Sequence, residues 1–217
     1  MMQARICEIF YSLQLEGAML GYPAVFVRFS GCNLNCDFCD TKYAFNEYKN
    51  MSLSEVEEIV CTYSCKRIIF TGGEPLLYAN FIKSFIYKYN KKYSYFLETN
   101  GTIWVDFASL FEHIVVSPKF DHLDYEVLKK YKALKNVEFK ILVENAQSLK
   151  DIEKLFKSLQ MTSATIQPIF LPNESMNEFI KRTVDIIEAF KKSNLVNSNV
   201  RLIIQNHKVI YERTRGV

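Results

Sequence analysis

The chain has 217 residues, 49% apolar and 24% charged, a balance that fits one soluble domain whose core needs no disulfide staples. Its 27 basic and 24 acidic residues are interleaved, and a formal charge of +3 is too small for a surface that tracks nucleic acid. No run approaches the roughly 18 apolar residues of a membrane span, and MMQARICEIF lacks the apolar stretch of a leader. The six cysteines therefore read as ligands or buried thiols in a reducing cytoplasm.

No repeat, low-complexity tract or linker divides the chain, so residues 1–217 are read as a single domain. Short β-branched or aromatic runs alternate with amphipathic stretches, the pattern of an α/β fold with parallel strands. In chain order the pattern predicts a strand at 24–29, a helix at 53–63, a strand at 67–71 and a helix at 78–89. A strand at 93–99, a short helix near 105–112, a strand at 113–117 and a helix at 124–131 follow. The last are a strand at 137–143, a helix at 146–159, a strand at 165–169, a helix at 175–192 and a strand at 200–204. Ser52 followed by Glu55 is a capping box that marks the first helix start. The fold class expected is a partial, open TIM-like barrel of about six parallel strands.

The polar and turn-forming oddities fall at the carboxyl ends of these strands: the cysteine loop after Phe29, Thr71-Gly72-Gly73-Glu74-Pro75, Glu98-Thr99-Asn100-Gly101, Ser117-Pro118-Lys119, Gln167-Pro168 and Gln205-Asn206-His207. In barrels and open α/β sheets that edge carries the ligand. The loop GCNLNCDFCDT supplies Cys32, Cys36 and Cys39 at C-x3-C-x2-C spacing. Three thiolates are one short of a closed zinc or iron–sulfur site, and a cubane cluster so held keeps one iron open. The plainer reading is zinc, with His113, Cys61 or Cys65 as fourth ligand. Cys61 and Cys65, four apart on a predicted helix, read as buried small hydrophobes, and Cys7 as core. In Gly72-Gly73-Glu74-Pro75 the glycines permit close backbone approach, and Glu74 is suited to an ammonium group.

The cysteine spacing, with the aromatic Phe38 before Cys39 and the GGEP one strand later, resembles the radical S-adenosylmethionine (SAM) superfamily. That resemblance implies a [4Fe–4S] cluster whose open iron binds the amino and carboxylate groups of SAM, with electron transfer cleaving the sulfonium bond to a 5′-deoxyadenosyl radical. The head Glu8-Ile9-Phe10-Tyr11-Ser12-Leu13-Gln14, the segment Gly21-Tyr22-Pro23…Phe26-Val27-Arg28, Cys39-Asp40-Thr41 and the tail Gln205-Asn206-His207-Lys208…Arg215-Gly216-Val217 together resemble the 7-carboxy-7-deazaguanine synthase family. This second resemblance covers nearly the whole chain. It implies conversion of 6-carboxy-5,6,7,8-tetrahydropterin to 7-carboxy-7-deazaguanine and ammonia, with SAM regenerated and Mg2+ required.

Carried over residue by residue, the resemblance implies Thr41 at Mg2+. Phe38, Asp40, Gly73, Glu74, Ser117, Pro118, Lys119 and Gln167 would lie at SAM. Leu13, Gln14, Leu15, Glu16, Arg28, Thr71, His207 and the terminal carboxylate of Val217 would lie at the substrate. Arg28 presents a planar fork suited to a carboxylate, and Gln14 with Glu16 complements an amino-pyrimidinone edge. Leu15 stands where the family has glycine, so the turn is expected to differ if it needs a positive φ. The resemblance further implies a homodimer reduced by a donor such as flavodoxin or ferredoxin. A glycyl-radical-enzyme activase and a non-catalytic iron–sulfur or zinc module are the alternatives from the residues alone.

Overall fold

The computed structural model describes residues 2–212 and 214–217. Among these residues nine strands form one sheet: β1 (Gln3–Leu13), β2 (Pro23–Phe29), β3 (Lys49–Ser52), β4 (Arg67–Gly72), β5 (Ser94–Thr99), β6 (His113–Val116), β7 (Val137–Val143), β8 (Ser163–Pro168) and β9 (Asn199–Leu202). Their spatial order is β3-β1-β2-β4-β5-β6-β7-β8-β9. The strands β2 and β4 to β9 run parallel, while β1 pairs antiparallel with both β2 and β3. The sheet is open, and its parallel part has seven strands where about six were expected.

Among the described residues six helices connect or follow the strands: α1 (Leu53–Val60), α2 (Ala79–Lys88), α3 (Tyr125–Lys132), α4 (Ser148–Leu159), α5 (Met176–Phe190) and α6 (Asn206–Tyr211). Ser52 caps α1 in the predicted box, accepting from Glu55 N while the Glu55 carboxylate accepts from Ser52 N at 2.7 Å. The short helix predicted near 105–112 is only a 3-10 turn at Ala108–Leu110, and α6 was not predicted. The first helix ends at Val60, so Cys61 and Cys65 do not share a helix face. Cys61 is exposed, and Cys65 is buried beside the Pro23 carbonyl. Cys7 lies half-buried on β1 rather than in the core.

Strand periodicity divides the apolar residues between two faces. On the outer face Val25, Val27, Phe29, Ile68, Phe70, Leu97, Ile114 and Ile141 pack against helix residues such as Val56, Ile82, Phe85, Leu128, Ile152 and Ile186 in the main core. The inner face carries a small cluster, Ala24, Phe26, Ile69 and Phe96. Two residues further along the same strands, that face turns polar. Register aligns Arg28 with Thr71, and the alternation continues to Glu98, Glu138 with Lys140, and Gln167.

Candidate active site

A cavity of about 290 Å³ opens at the carboxyl ends of the parallel strands. Every residue predicted for the site lines it except Glu74 and Pro118. The cysteine loop forms one wall. It leaves β2 through Ser30, whose N–H donates to Arg5 O, and Gly31, whose N–H donates to Ala44 O. Cys32 Sγ accepts from Leu34 N at 3.4 Å and faces the Asn100 amide at 3.9 Å. Burial pushes the Cys32 and Cys36 thiols up, so binding of a cationic centre must draw off their protons. Among the described residues no three His, Cys, Asp or Glu side chains converge on one metal ion. Cys32, Cys36 and Cys39 all line the cavity, where each thiol could serve one iron of a cluster. His113, considered as a zinc ligand, instead faces Glu138 at 3.3 Å.

Gly73 shows how closely the second motif meets this loop. A Cβ there would lie 2.2 Å from Gly31 O and 2.8 Å from Cys32 Cβ. The contact is sealed by Glu74 N donating to Gly31 O at 2.9 Å. The Glu74 side chain, fully buried, accepts from Leu76 N, Thr99 Oγ1 and Asn100 N at 3.0, 2.9 and 2.8 Å. Its carboxylate ties the ends of β4 and β5 together, and Glu74 is not among the residues that line the cavity.

Two polar groups line the cavity beyond the thiols, Gln167 buried and Lys119 half-buried. Gln167 is 0% exposed, and both its amide atoms lack a partner among the described residues. Such a group calls for a bound polar ligand, because an unsatisfied buried amide is costly. Lys119 donates to Ser117 O at 2.6 Å and Ser117 Oγ at 2.9 Å. Burial, helped by Lys140 nearby, pushes its pKa down to about 8. Three thiols, an orphaned amide and a half-buried ammonium in one cavity fit a cluster with an amino-acid-like ligand.

The opposite wall is a network of charged pairs. Arg28 Nε donates to Glu8 Oε1 at 2.6 Å, and Tyr43 OH donates to the same oxygen at 2.8 Å. Gln14 Nε2 and Thr71 Oγ1 donate to the two oxygens of Glu98 at 2.8 and 2.9 Å. Glu16 pairs with Lys140 and with His207 Nδ1 at 3.1 Å, and Gln205 Nε2 donates to it at 3.3 Å. Burial pulls the Glu16 carboxyl up, but Lys140 and His207 overcome it and hold it well below the usual range. Asp40 faces His207 at 3.7 Å and Lys208 at 3.1 Å. Thr41 Oγ1 lies 3.6 Å from Cys39 Sγ. The tail crosses this wall, with Arg215 stacked 3.6 Å above the Tyr43 ring and paired with Glu47, bringing Val217 to the cavity.

Leu15 does not have a positive φ; the left-handed residues of the head loop are Gly17, at +65°, and Gly21, at +87°. The turn at position 15 therefore does not need the conformation that would have set leucine apart from glycine. Glu98, Asn100, Lys140 and Gln205 line the cavity without having been singled out in the sequence as site residues.

Burial opposes the charged form of His207, but Asp40 and Glu16 raise its pKa to about 9. A group whose pKa rises from the usual 6.5 on folding stabilises the fold fully below that value and loses the contribution as pH climbs towards 9. In cluster-free protein, the stability advantage of wild type over His207→Gln is therefore expected to shrink between pH 6.5 and 9.5. Thermal melts of both proteins across that range check it. A constant difference would contradict the charged pairing.

Residues 26–183 match the sequence model of the Radical SAM superfamily, and the chain belongs to it. It is 31% identical over 207 residues to the 7-carboxy-7-deazaguanine synthase of Aquifex aeolicus, spanning 93% of this chain and 90% of that one. It is 30% identical over 235 residues to the same-named protein of Clostridium acetobutylicum, with both chains covered in full. Within the superfamily, the chain belongs to the 7-carboxy-7-deazaguanine synthase family. The crystal structure of QueE from Escherichia coli shares the fold at a TM-score of 0.68 and 21% identity, over 94% of each chain.

Proposed function

We propose that the chain is a radical SAM enzyme of 7-deazapurine biosynthesis, converting 6-carboxy-5,6,7,8-tetrahydropterin to 7-carboxy-7-deazaguanine with loss of ammonia. The observation that carries this reading is the family membership along the full chain, joined to one cavity with three thiols on one wall and charged, edge-reading groups on the other. When bound, the cluster and SAM supply an electron and a hydrogen-abstracting carbon radical.

The residues present divide that work. Cys32, Cys36 and Cys39 hold the cluster, and Asn100 and Leu34 N steady the first thiolate. Phe38, Asp40, Gly73, Ser117, Lys119 and Gln167 bind SAM, Lys119 and Gln167 through the polar atoms they turn into the cavity. Glu74 and Pro118 shape this subsite from behind. On the far wall, Glu8 occupies the Nε edge of Arg28, and the terminal guanidinium nitrogens take the pterin carboxylate. Gln14 and the ionised Glu16 read the amino-pyrimidinone edge, with Leu13, Leu15, Thr71, His207 and Val217 around it. Holding the two ligands in one small, water-poor space orients the C6 hydrogen for abstraction and return.

Mg2+ sits at Thr41, a hard oxygen ligand that leaves most positions to water and substrate. Thr41→Ala is expected to raise the Mg2+ concentration needed for half-maximal turnover about tenfold while SAM binding stays unchanged. A Mg2+ titration of activity reads this, and an unchanged midpoint would remove Thr41 from the metal. The electron donor is a flavodoxin or ferredoxin, and the working unit is a homodimer. No helix among the described residues is long and apolar enough to cross a membrane.

Deuterium at C6 tests the reaction. Label is expected in SAM recovered after turnover, since the abstracted hydrogen passes through it. Unlabelled SAM alongside product formation would contradict abstraction from that carbon.

A further inference from the structure

One buried carboxylate lies outside this machinery. Glu138, on the inner face of β7 two residues before Lys140, is 9% exposed and does not line the cavity. Its oxygens are approached by groups from four separate segments. Ala18 N donates at 2.7 Å and Arg201 Nη2 at 2.8 Å, Thr165 Oγ1 donates to Oε1, and His113 Nε2 lies 3.3 Å from Oε2. Burial pulls the carboxyl up, but His113, Thr165, Ala18 N and Arg201 together bring it down to about 2, so it is ionised at neutral pH.

The contact that stands out is with the head loop. Gly17 folds directly over the carboxylate, where a Cβ would sit 2.9 Å from Oε2, and its φ of +65° turns the Ala18 N–H onto the same oxygen. The loop's other anchors include the backbone bond from Gln14 N to Tyr22 O, the Gln14–Glu98 bond, the contacts of Glu16 with Lys140, His207 and Gln205, and Asn206 Nδ2 donating to Leu15 O at 3.3 Å. Glu138 and Lys140 thus grip residues 16–18 from one strand face, one at the floor and one inside the cavity.

We propose that Glu138 is a positioning residue that fixes the 14–22 loop from beneath and so sets affinity for the substrate without touching it. The functional half of this statement rests on the pterin reading above, in which Gln14 and Glu16 contact the substrate. The anchoring half does not. A role confined to joining β6 to β9 through His113, Thr165 and Arg201 would leave the loop indifferent to the residue.

Reconstituted wild type, Glu138→Gln and Glu138→Leu enzymes are compared by backbone hydrogen exchange over residues 14–22, KM for the pterin, and SAM binding. Glu138→Leu is expected to speed exchange in that loop and to raise KM about tenfold or more, as small misplacements of positioning groups do. SAM affinity should hold. Glu138→Gln retains an acceptor for Ala18 N and should fall between. Unchanged exchange over 14–22 in both variants would overturn the anchor. Faster exchange with unchanged KM, or a matching loss of SAM binding, would overturn the link to substrate. Wild-type enzyme inactive on the pterin would overturn the functional reading, while the exchange data would still decide the anchor.

Discussion

Gly73→Ala is expected to give a folded protein that no longer retains its iron–sulfur cluster. The added methyl would meet Gly31 O at 2.2 Å, Gly31 C at 2.7 Å and Cys32 Cβ at 2.8 Å. Two of these are backbone atoms, so no side-chain rotation relieves the clash. The loop must move away from β4, breaking the bonds from Gly73 N to Phe29 O and from Glu74 N to Gly31 O. Overpacking of this kind costs about 1–3 kcal/mol, which a domain of this size survives. Displacement of Cys32 relative to Cys36 and Cys39 is less tolerable, because the cluster needs all three sulfurs at once. Iron and sulfide content after anaerobic reconstitution measures the effect. Wild-type content would mean the loop adapts, and that close approach of the two motifs is not what shapes the cluster site.

The second large effect is expected from Lys140→Met. Lys140 and Glu16 have side chains only 10% and 12% exposed, so each charge depends on the other. Removing one member of a buried pair costs about 3–5 kcal/mol, a fall in melting temperature of roughly 10 °C for a chain of this length. Glu16 keeps His207 and Gln205, which hold the loss towards the lower end. Its carboxyl also rises towards the ordinary range, weakening recognition of the pterin edge, so KM for substrate should rise while SAM binding changes less. The double variant Glu16→Leu/Lys140→Met removes both charges and should recover stability without activity. Melts and kinetics on the three proteins separate the two consequences. A double variant no more stable than Lys140→Met would show that Lys140 acts through packing and not through the pair.

Much of this was legible because parallel strands announce themselves. Buried on both faces, β2 and β4 to β8 read as short apolar runs, and the turn chemistry after each run marked the ligand-bearing edge. What escaped notice lacked a local signal or had one that went unused. The short, mostly polar β3 forms a strand only because β1 offers an edge, and α6 buries no residue. In-strand charges were a usable signal. Arg28 was noticed inside an apolar run, and the same logic applies to Glu98 in YFLET and to Glu138 and Lys140 in VEFKILV. Their period-two spacing puts them on the inner face, where a charge persists only with partners. The hydrogen bonds of Glu74 were not legible, since they depend on donors from Leu76, Thr99 and Asn100 that the fold alone brings together.

The most direct measurement is turnover by anaerobically reconstituted enzyme given SAM, reductant, Mg2+ and 6-carboxy-5,6,7,8-tetrahydropterin, with products identified by mass. The account predicts 7-carboxy-7-deazaguanine, formed only when SAM and reductant are both present, with SAM recovered intact. Reductive cleavage of SAM with the pterin left unchanged would contradict the pterin assignment while leaving the radical SAM fold and cluster in place.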